Sequence, residues 1–390
     1  MKKVGIFGGT FNPVHQGHVS LCAQIKRAKN LDEIWIIPTG TPPHKSSDGI
    51  IDDVHRLAMC AIAFPSHEGY HVLDIECNQK GKNYTADTLA ALQKQHPDCS
   101  FYFIMGSDMF LTFTQWYDYR NILQMAHLLV GARSKDDAQA MQEMKYTLQN
   151  DEKIEIIPVD VVDISSTQAR TRIAFGFDAA FWLNAEVWQC IKEHKLYLPN
   201  KESVESIKLL LRDCLSDGRY YHTECVVKLA KELAKRFCVS EQKAVWAALL
   251  HDIMKDCSQD DLLQYITKNG IMLSGVEKEA PALWHAITGS FFAESLGFDE
   301  EIVSAIRYHT TARAQMSDLE KIIYVADGIS EDRAYPNIDK VRALLDQGLD
   351  FVILNGVKMT LQKLIQKQKP LHPDTLQAYH TLIKKIKKDV

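Results

Sequence analysis

The stretch GIFGGTFNPVHQGH (5–18) places two histidines, His15 and His18, three residues apart, shortly after the double glycine Gly8-Gly9. On a helix that spacing puts both imidazoles on one face. Glycines without a Cβ let backbone amides come close to a phosphate. A helix beginning beside them adds free N–H groups and a positive dipole end. Imidazole donors at such a place offset the negative charge that builds up as a phosphoryl group is transferred. Gly17, between the two histidines, is expected to leave room for a ligand against the backbone. The pattern is neither GxGxxG nor a Walker A loop, so the usual dinucleotide and NTPase readings fit poorly.

A second stretch, DISSTQARTRI (163–173), puts Ser165, Ser166 and Thr167 just ahead of a helix. Their hydroxyls and amides suit an N-cap and can hold phosphate oxygens, with Arg170 reaching the same anion. A third, ALLHDIMKD (248–256), brings His251 and Asp252 out of an apolar run. One His-Asp pair is weak evidence. It gains weight from His222 in RYYHTECV, His285 in ALWHAITG, His309 in IRYHTTA and Asp327 in IIYVADGIS. An apolar helix avoids a charged residue such as Asp327 unless something satisfies it. Four histidines and two aspartates on successive helices suit two adjacent divalent ions. Their mixed nitrogen and oxygen donors favour iron, manganese or zinc over calcium.

These residues need elements to position them. In the first half, short β-rich runs at 4–7, 34–38, 71–75, 100–106, 127–132 and 153–159 alternate with helical patterns at 18–29, 54–64, 85–95 and 135–149. Such alternation predicts an α/β domain with a Rossmann-like parallel sheet covered on both faces. HKLYLPNKES reads as a linker, giving domains at 1–195 and 204–390 joined by 196–203. The second half shows amphipathic helical patterns at 204–215, 222–237, 241–254, 281–296, 317–329 and 350–367, with no convincing strand. An all-α bundle is expected there.

GGTFNPVHQGH together with ISSTQAR resembles the bacterial nicotinate-mononucleotide adenylyltransferases of the HxGH nucleotidyltransferase superfamily. PTGTPPHK, NYTADTL and GSDMFLTFTQWYDYRNIL extend the likeness over about 1–195. The resemblance implies transfer of AMP from ATP, with its Mg²⁺, to nicotinate mononucleotide, giving deamido-NAD and pyrophosphate. It implies that His15 and His18 serve the ATP phosphates and the transition state, beside Gly8, Gly9, Thr10 and Phe11. Ser166, Thr167 and Arg170 would hold the triphosphate end. His44, Lys45, Thr85, Asp108, Trp116, Tyr117 and Arg133 would bind the mononucleotide, with Trp116 stacking on the pyridine ring. Thr85 and Asp87 also suit the cap of the helix at 85–95.

LLHDIMKD, IRYHTTA and IYVADGISEDRAYPNID resemble the HD-domain phosphohydrolases, and among them the symmetrical diadenosine-tetraphosphatases. That likeness spans about 203–390. It implies a dinuclear metal centre that polarises a phosphate, activates water and splits diadenosine tetraphosphate into two ADP. His222, His251, Asp252 and Asp327 would hold one ion, iron first and manganese or zinc otherwise. Asp252 would bridge to a second ion held by His285 and His309. Lys255, Asp256 and Arg333 are the candidates for phosphate contact or water activation. GISEDR lacks a proline expected before the arginine, which weakens the inference for Arg333. A hydrolase of another nucleotide phosphate and a non-catalytic nucleotide-sensing module remain alternatives for this half.

The 390 residues carry a formal charge of −5 and are 46% hydrophobic. No bulk attraction to nucleic acid or membrane follows from that balance. No apolar run approaches the roughly 18 residues of a membrane span. The nine cysteines are scattered singly, which fits thiols in a reducing cytoplasm. Small-molecule substrates are the expected partners; homo-oligomerisation is left open.

Overall fold

The apolar runs of the first half form six strands: β1 Lys2–Gly9, β2 Glu33–Pro38, β3 Tyr70–Val72, β4 Cys99–Gly106, β5 Ala126–Ala132 and β6 Ile154–Pro158. In this computed structural model they lie in the order β3-β2-β1-β4-β5-β6, each pair of neighbours parallel. The structure describes residues 1–40, 49–78, 81–132, 135–148, 151–160 and 162–389. A sheet covered on both faces needs strands that are apolar on both faces. β2 meets this need by alternation. Ile34 and Ile36 join Cys22, Ile25 and Met59 in one core, while Trp35 and Ile37 join Leu89, Leu92 and Phe103 in another.

The winding of the sheet reverses between β1 and β4. Ligands of such sheets sit outside the carboxyl ends of the strands at the reversal. β1 ends at Gly9 and β4 at Gly106, so GGTFNP and GSDM open onto one crevice.

The chain separates into two units, Met1–Leu198 and Pro199–Val390. The second is helical throughout its described residues, as its amphipathic pattern predicts. Serine begins several of its helices. Ser203, Ser240, Ser258, Ser274 and Ser317 each accept a backbone N–H of the first turn, a cap worth roughly 1 kcal/mol. The helices Gln259–Lys268 and Glu300–Tyr308 are additional to those read from the sequence. The expected helix at 241–254 stops at Leu250, and residues 251–256 form turns. Ile253 and Met254 stay fully buried there, so the run is apolar because it is core, not because it is helical.

Candidate functional site

In the first unit the histidine motif opens the helix Gln16–Lys29. His15 is its N-cap, and the His15 backbone N–H donates to His18 Nδ1 at 3.2 Å. The two rings stack with centroids 3.7 Å apart. Phe11 lies edge-on to His18 at 5.1 Å and is itself buried. Gly17 differs from expectation in what it makes room for. A Cβ there would come within 3.0 Å of the His15 ring and 3.3 Å of the Val162 carbonyl, so the glycine accommodates the imidazole itself. Gly17→Ala is therefore expected to displace His15 and lower kcat/KM for nucleotidyl transfer about 10²-fold, the scale of a 1 Å misplacement. Steady-state kinetics beside an unchanged melting temperature would check it.

The loop ahead of this helix is held from several sides. Arg56, fully buried, donates from Nη1 to Thr10 O at 2.7 Å and from Nε to Ile51 O at 3.2 Å, and pairs with Asp53. Asn12 Nδ2 donates to Gly49 O at 2.9 Å. Nothing in the sequence reading singled out Arg56; a buried arginine looks like any surface one until its carbonyl partners are known. The second phosphate motif meets the same loop. Arg170 Nη1 donates to Asn12 O at 2.8 Å, Ser166 Oγ to Pro13 O at 2.9 Å, and Arg170 Nη2 to Thr167 Oγ1 at 3.2 Å. Ser165 caps the helix Ser166–Ala174 and accepts from Gln168 N–H at 3.1 Å. Two segments about 150 residues apart thus form one polar cradle at the carboxyl end of β1.

Of the residues expected around a mononucleotide, Asp108 is exposed in the short helix Ser107–Leu111 that follows β4. Thr85 opens the helix Thr85–Gln95 behind the N-cap Tyr84, which caps with no side chain; Asp87 stands in its first turn. Trp116 is half-buried, its ring 6.1 Å from Phe103 and 5.6 Å from Phe113. Tyr117 is exposed and lies 4.6 Å from the Tyr84 ring. His44, Lys45 and Arg133 lie outside the described residues.

In the helical unit, residues spread over more than a hundred positions converge. His222 sits in the helix Asp217–Arg236, and His251 and Asp252 follow the helix Glu241–Leu250. His285 begins the helix Trp284–Ser295, His309 ends Glu300–Tyr308, and Asp327 lies near the end of Asp318–Ile329. Most donors therefore stand at helix ends, where side chains from different helices can meet. Two groups form, His222 with His251 and Asp327, and Asp252 with His285 and His309; within each, the donor atoms lie within 4.8 Å of one another. Asp252 faces both. Its Oδ1 is 3.2 Å from His285 Nε2 and 3.5 Å from His309 Nε2, and its Oδ2 is 3.6 Å from His251 Nε2. His251 Nε2 is buried with no hydrogen-bond partner among the described residues. An orphaned lone pair beside two carboxylates is the chemistry of a divalent-ion site, so the donors fit the metal that the sequence implies.

The electrostatics agree. Burial first, and a neighbouring imidazole second to it among the lowering effects, pull the pKa of His251 down to about 4; burial likewise takes His285 to about 4. Both are then neutral near pH 7, the form that ligates. Burial by itself would raise the Asp252 and Asp327 carboxyls. Histidines around Asp252, and His222, His251 and Arg333 around Asp327, hold them well below the usual range instead. Cations ring the centre: Arg219 Nη1 is 2.8 Å from Asp252 Oδ2, Lys255 Nζ 3.7 Å from Asp252 Oδ1, and Arg333 pairs with Asp327. Arg219 precedes His222 by three residues and so shares its helix face, a spacing that is a local signal for a cation at this centre. Asp256 belongs to neither donor group. Its Oδ2 accepts from the Ser216 backbone N–H and Oγ, both at 2.8 Å, at the start of the helix that carries His222.

A reversed parallel sheet with histidines and glycines at its carboxyl edge, followed along the chain by a helical unit with a His-Asp centre, is the architecture of a nucleotidyltransferase domain joined to an HD domain. The chain matches the cytidylyltransferase-like family over residues 6–172 and the HD domain over residues 219–332. It is 36% identical over 197 residues to a probable nicotinate-nucleotide adenylyltransferase of Oceanobacillus iheyensis, covering 50% of this chain and 97% of that one. A protein of the same description from Shouchella clausii is 34% identical over 202 residues, covering 52% of this chain and 100% of that one. Among solved structures, a predicted HD superfamily hydrolase involved in NAD metabolism from Clostridium acetobutylicum aligns with a TM-score of 0.45 at 32% identity, over 47% of this chain and 98% of that one. Through its N-terminal half the chain belongs to the nicotinate-nucleotide adenylyltransferase family, and an HD domain follows.

Proposed function

We propose that the chain is a bifunctional enzyme. Its first unit transfers AMP from Mg²⁺-ATP to nicotinate mononucleotide, forming deamido-NAD and pyrophosphate. The family membership supports the reaction and the acid mononucleotide as acceptor. In this reading the acceptor phosphate attacks the α-phosphorus in line, and no covalent enzyme intermediate forms. The protein's part is positioning and charge neutralisation. His15 and His18 meet the ATP phosphates, Gly8, Gly9, Thr10 and Phe11 supply close backbone approach, and Ser166, Thr167 and Arg170 close the triphosphate end. Thr85, Asp108, Trp116 and Tyr117 face the mononucleotide.

The second unit hydrolyses diadenosine tetraphosphate to two ADP. His222, His251 and Asp327 would hold one divalent ion, His285 and His309 the other, with Asp252 between them. Iron is the first choice, with manganese or zinc as the others. Bound ions supply Lewis-acid polarisation of a phosphoryl group and activation of water. Arg219, Lys255 and Arg333 draw in and orient the polyphosphate, and the burial of the histidines keeps them neutral. The observation that carries this half is the convergence of all six donors in two adjacent groups.

Dialysis of the full chain against a chelator and then into Mg²⁺ buffer tests both halves. Hydrolysis of diadenosine tetraphosphate should vanish and return with Mn²⁺ or Fe²⁺, while pyrophosphate release from ATP and nicotinate mononucleotide persists throughout. Turnover of diadenosine tetraphosphate that survives removal of transition metal sinks the metal centre as its catalyst; no turnover by the metal-loaded chain sinks the hydrolase assignment, and bound nucleotide without turnover favours a sensor. No helix among the described residues is long and apolar enough to cross a membrane. A cytoplasmic setting is our reading of its scattered, free cysteines.

A further inference from the structure

Three imidazoles of the helical centre are backed from behind at Nδ1, and one of them differently from the other two. Nδ1 of His251 donates to Ala248 O, and Nδ1 of His309 to Ile306 O, each at 2.7 Å. Behind His222 stands a carboxylate instead, with Nδ1 2.7 Å from Asp332 Oδ2. Asp332 is steadied in turn, since Ser330 Oγ donates to its Oδ1 at 2.6 Å. Both residues lie in GISEDR, the segment that departs from the expected pattern by lacking a proline.

A carboxylate accepts from an imidazole N–H, so Nδ1 of His222 donates to Asp332 and Nε2 is the atom turned toward Asp327. His222 Nε2 points at Asp327 Oδ1, 3.0 Å away, and that oxygen is also an acceptor. Arg333 Nη2 comes within 3.3 Å of the same nitrogen. The hydrogen bond from behind fixes the ring angle and leaves Nε2 as the atom His222 offers to the group of His251 and Asp327.

We propose that Asp332, held by Ser330, is the positioning residue of His222, fixing its tautomer and ring angle and strengthening the metal site of His222, His251 and Asp327. The inference rests on the metal reading above. Carboxylate backing of a ligating histidine raises its basicity, and its loss costs about 10–100-fold in metal affinity.

The test is Mn²⁺ binding to the full chain, by competition with a chelator, for wild type, Asp332→Asn, Asp332→Ala and Ser330→Ala. Wild type should take up two equivalents. Asp332→Ala should bind one of them about 10–100-fold more weakly and leave the other unchanged, at wild-type adenylyl transfer and with little change in melting temperature. Asp332→Asn, which keeps an acceptor but no charge, should fall between, and Ser330→Ala should show a smaller loss. Two equivalents of unchanged affinity in Asp332→Ala overturn the inference alone and leave the metal reading standing. Equal weakening of both equivalents with a lowered melting temperature also overturns it, as a purely structural role. A wild type that takes up no Mn²⁺ overturns the metal reading and this inference with it.

Discussion

Asp252→Asn is expected to slow hydrolysis of diadenosine tetraphosphate by about 10³-fold or more while leaving adenylyl transfer by the same chain unchanged. Asp252 is 2% exposed, and its two oxygens face opposite donor groups, Oδ1 toward His285 and His309 and Oδ2 toward His251. An amide has nearly the same shape but no charge. It also turns an N–H₂ toward imidazole lone pairs, so a site for cations loses an anion and gains a donor. Metal-derived stabilisation amounts to several kcal/mol, and each 1.36 kcal/mol is tenfold in rate, hence about three decades. ADP release and bound metal per chain are the measurements. A variant that hydrolyses within tenfold of wild type removes Asp252 from the centre of the reaction.

His18→Ala is expected to lower kcat for adenylyl transfer about 10²–10³-fold, with a smaller change in the KM for ATP. The reason is where charge develops. The phosphates gain negative charge as the α-phosphorus is attacked, and a donor placed for that moment contributes more to the transition state than to the bound substrate. His18 shares its helix end with His15, the rings stacked 3.7 Å apart, so both imidazoles face one region of the cradle. Removing His18 also removes the acceptor of the His15 N–H, which adds to the loss. Pyrophosphate release at saturating ATP and nicotinate mononucleotide measures it, with diadenosine-tetraphosphate hydrolysis as the control for folding. A kcat within threefold of wild type would make these histidines ordinary cap residues.

Much of this was legible in the chain because its signals are local. Apolar runs such as IWIIP bury both faces and mark strands, and the switch to longer amphipathic periods after about residue 203 marks helices. Glycines, caps and histidine spacing act within a few residues, so GGTFNPVHQGH and ISSTQAR point to an anion site without any knowledge of the sheet. Where signals were weak or mixed, the reading strayed. The helix expected to run through 241–254 ends at Leu250, because burial keeps Ile253 and Met254 apolar in a turn as well as it would in a helix. Gly17 suggests space for a ligand from sequence, yet what fills that space is the His15 ring.

By itself, then, the sequence determined that a parallel α/β unit precedes a helical one, and it pointed to the candidate phosphate and metal residues and to the class of reaction each half resembles. Tertiary structure alone decided the strand order that pairs β1 with β4, the docking of Arg170 on the Asn12 carbonyl, and the division of six donors into two groups with Asp252 facing both. It alone revealed Arg56 beneath the loop, Arg219 at the centre and Asp332 behind His222. The physical reason is range. Propensity, capping and periodicity act over one or two turns, whereas a carboxylate and an imidazole 110 positions apart, such as Asp332 in a turn and His222 in a helix, interact only once packing has brought their segments together.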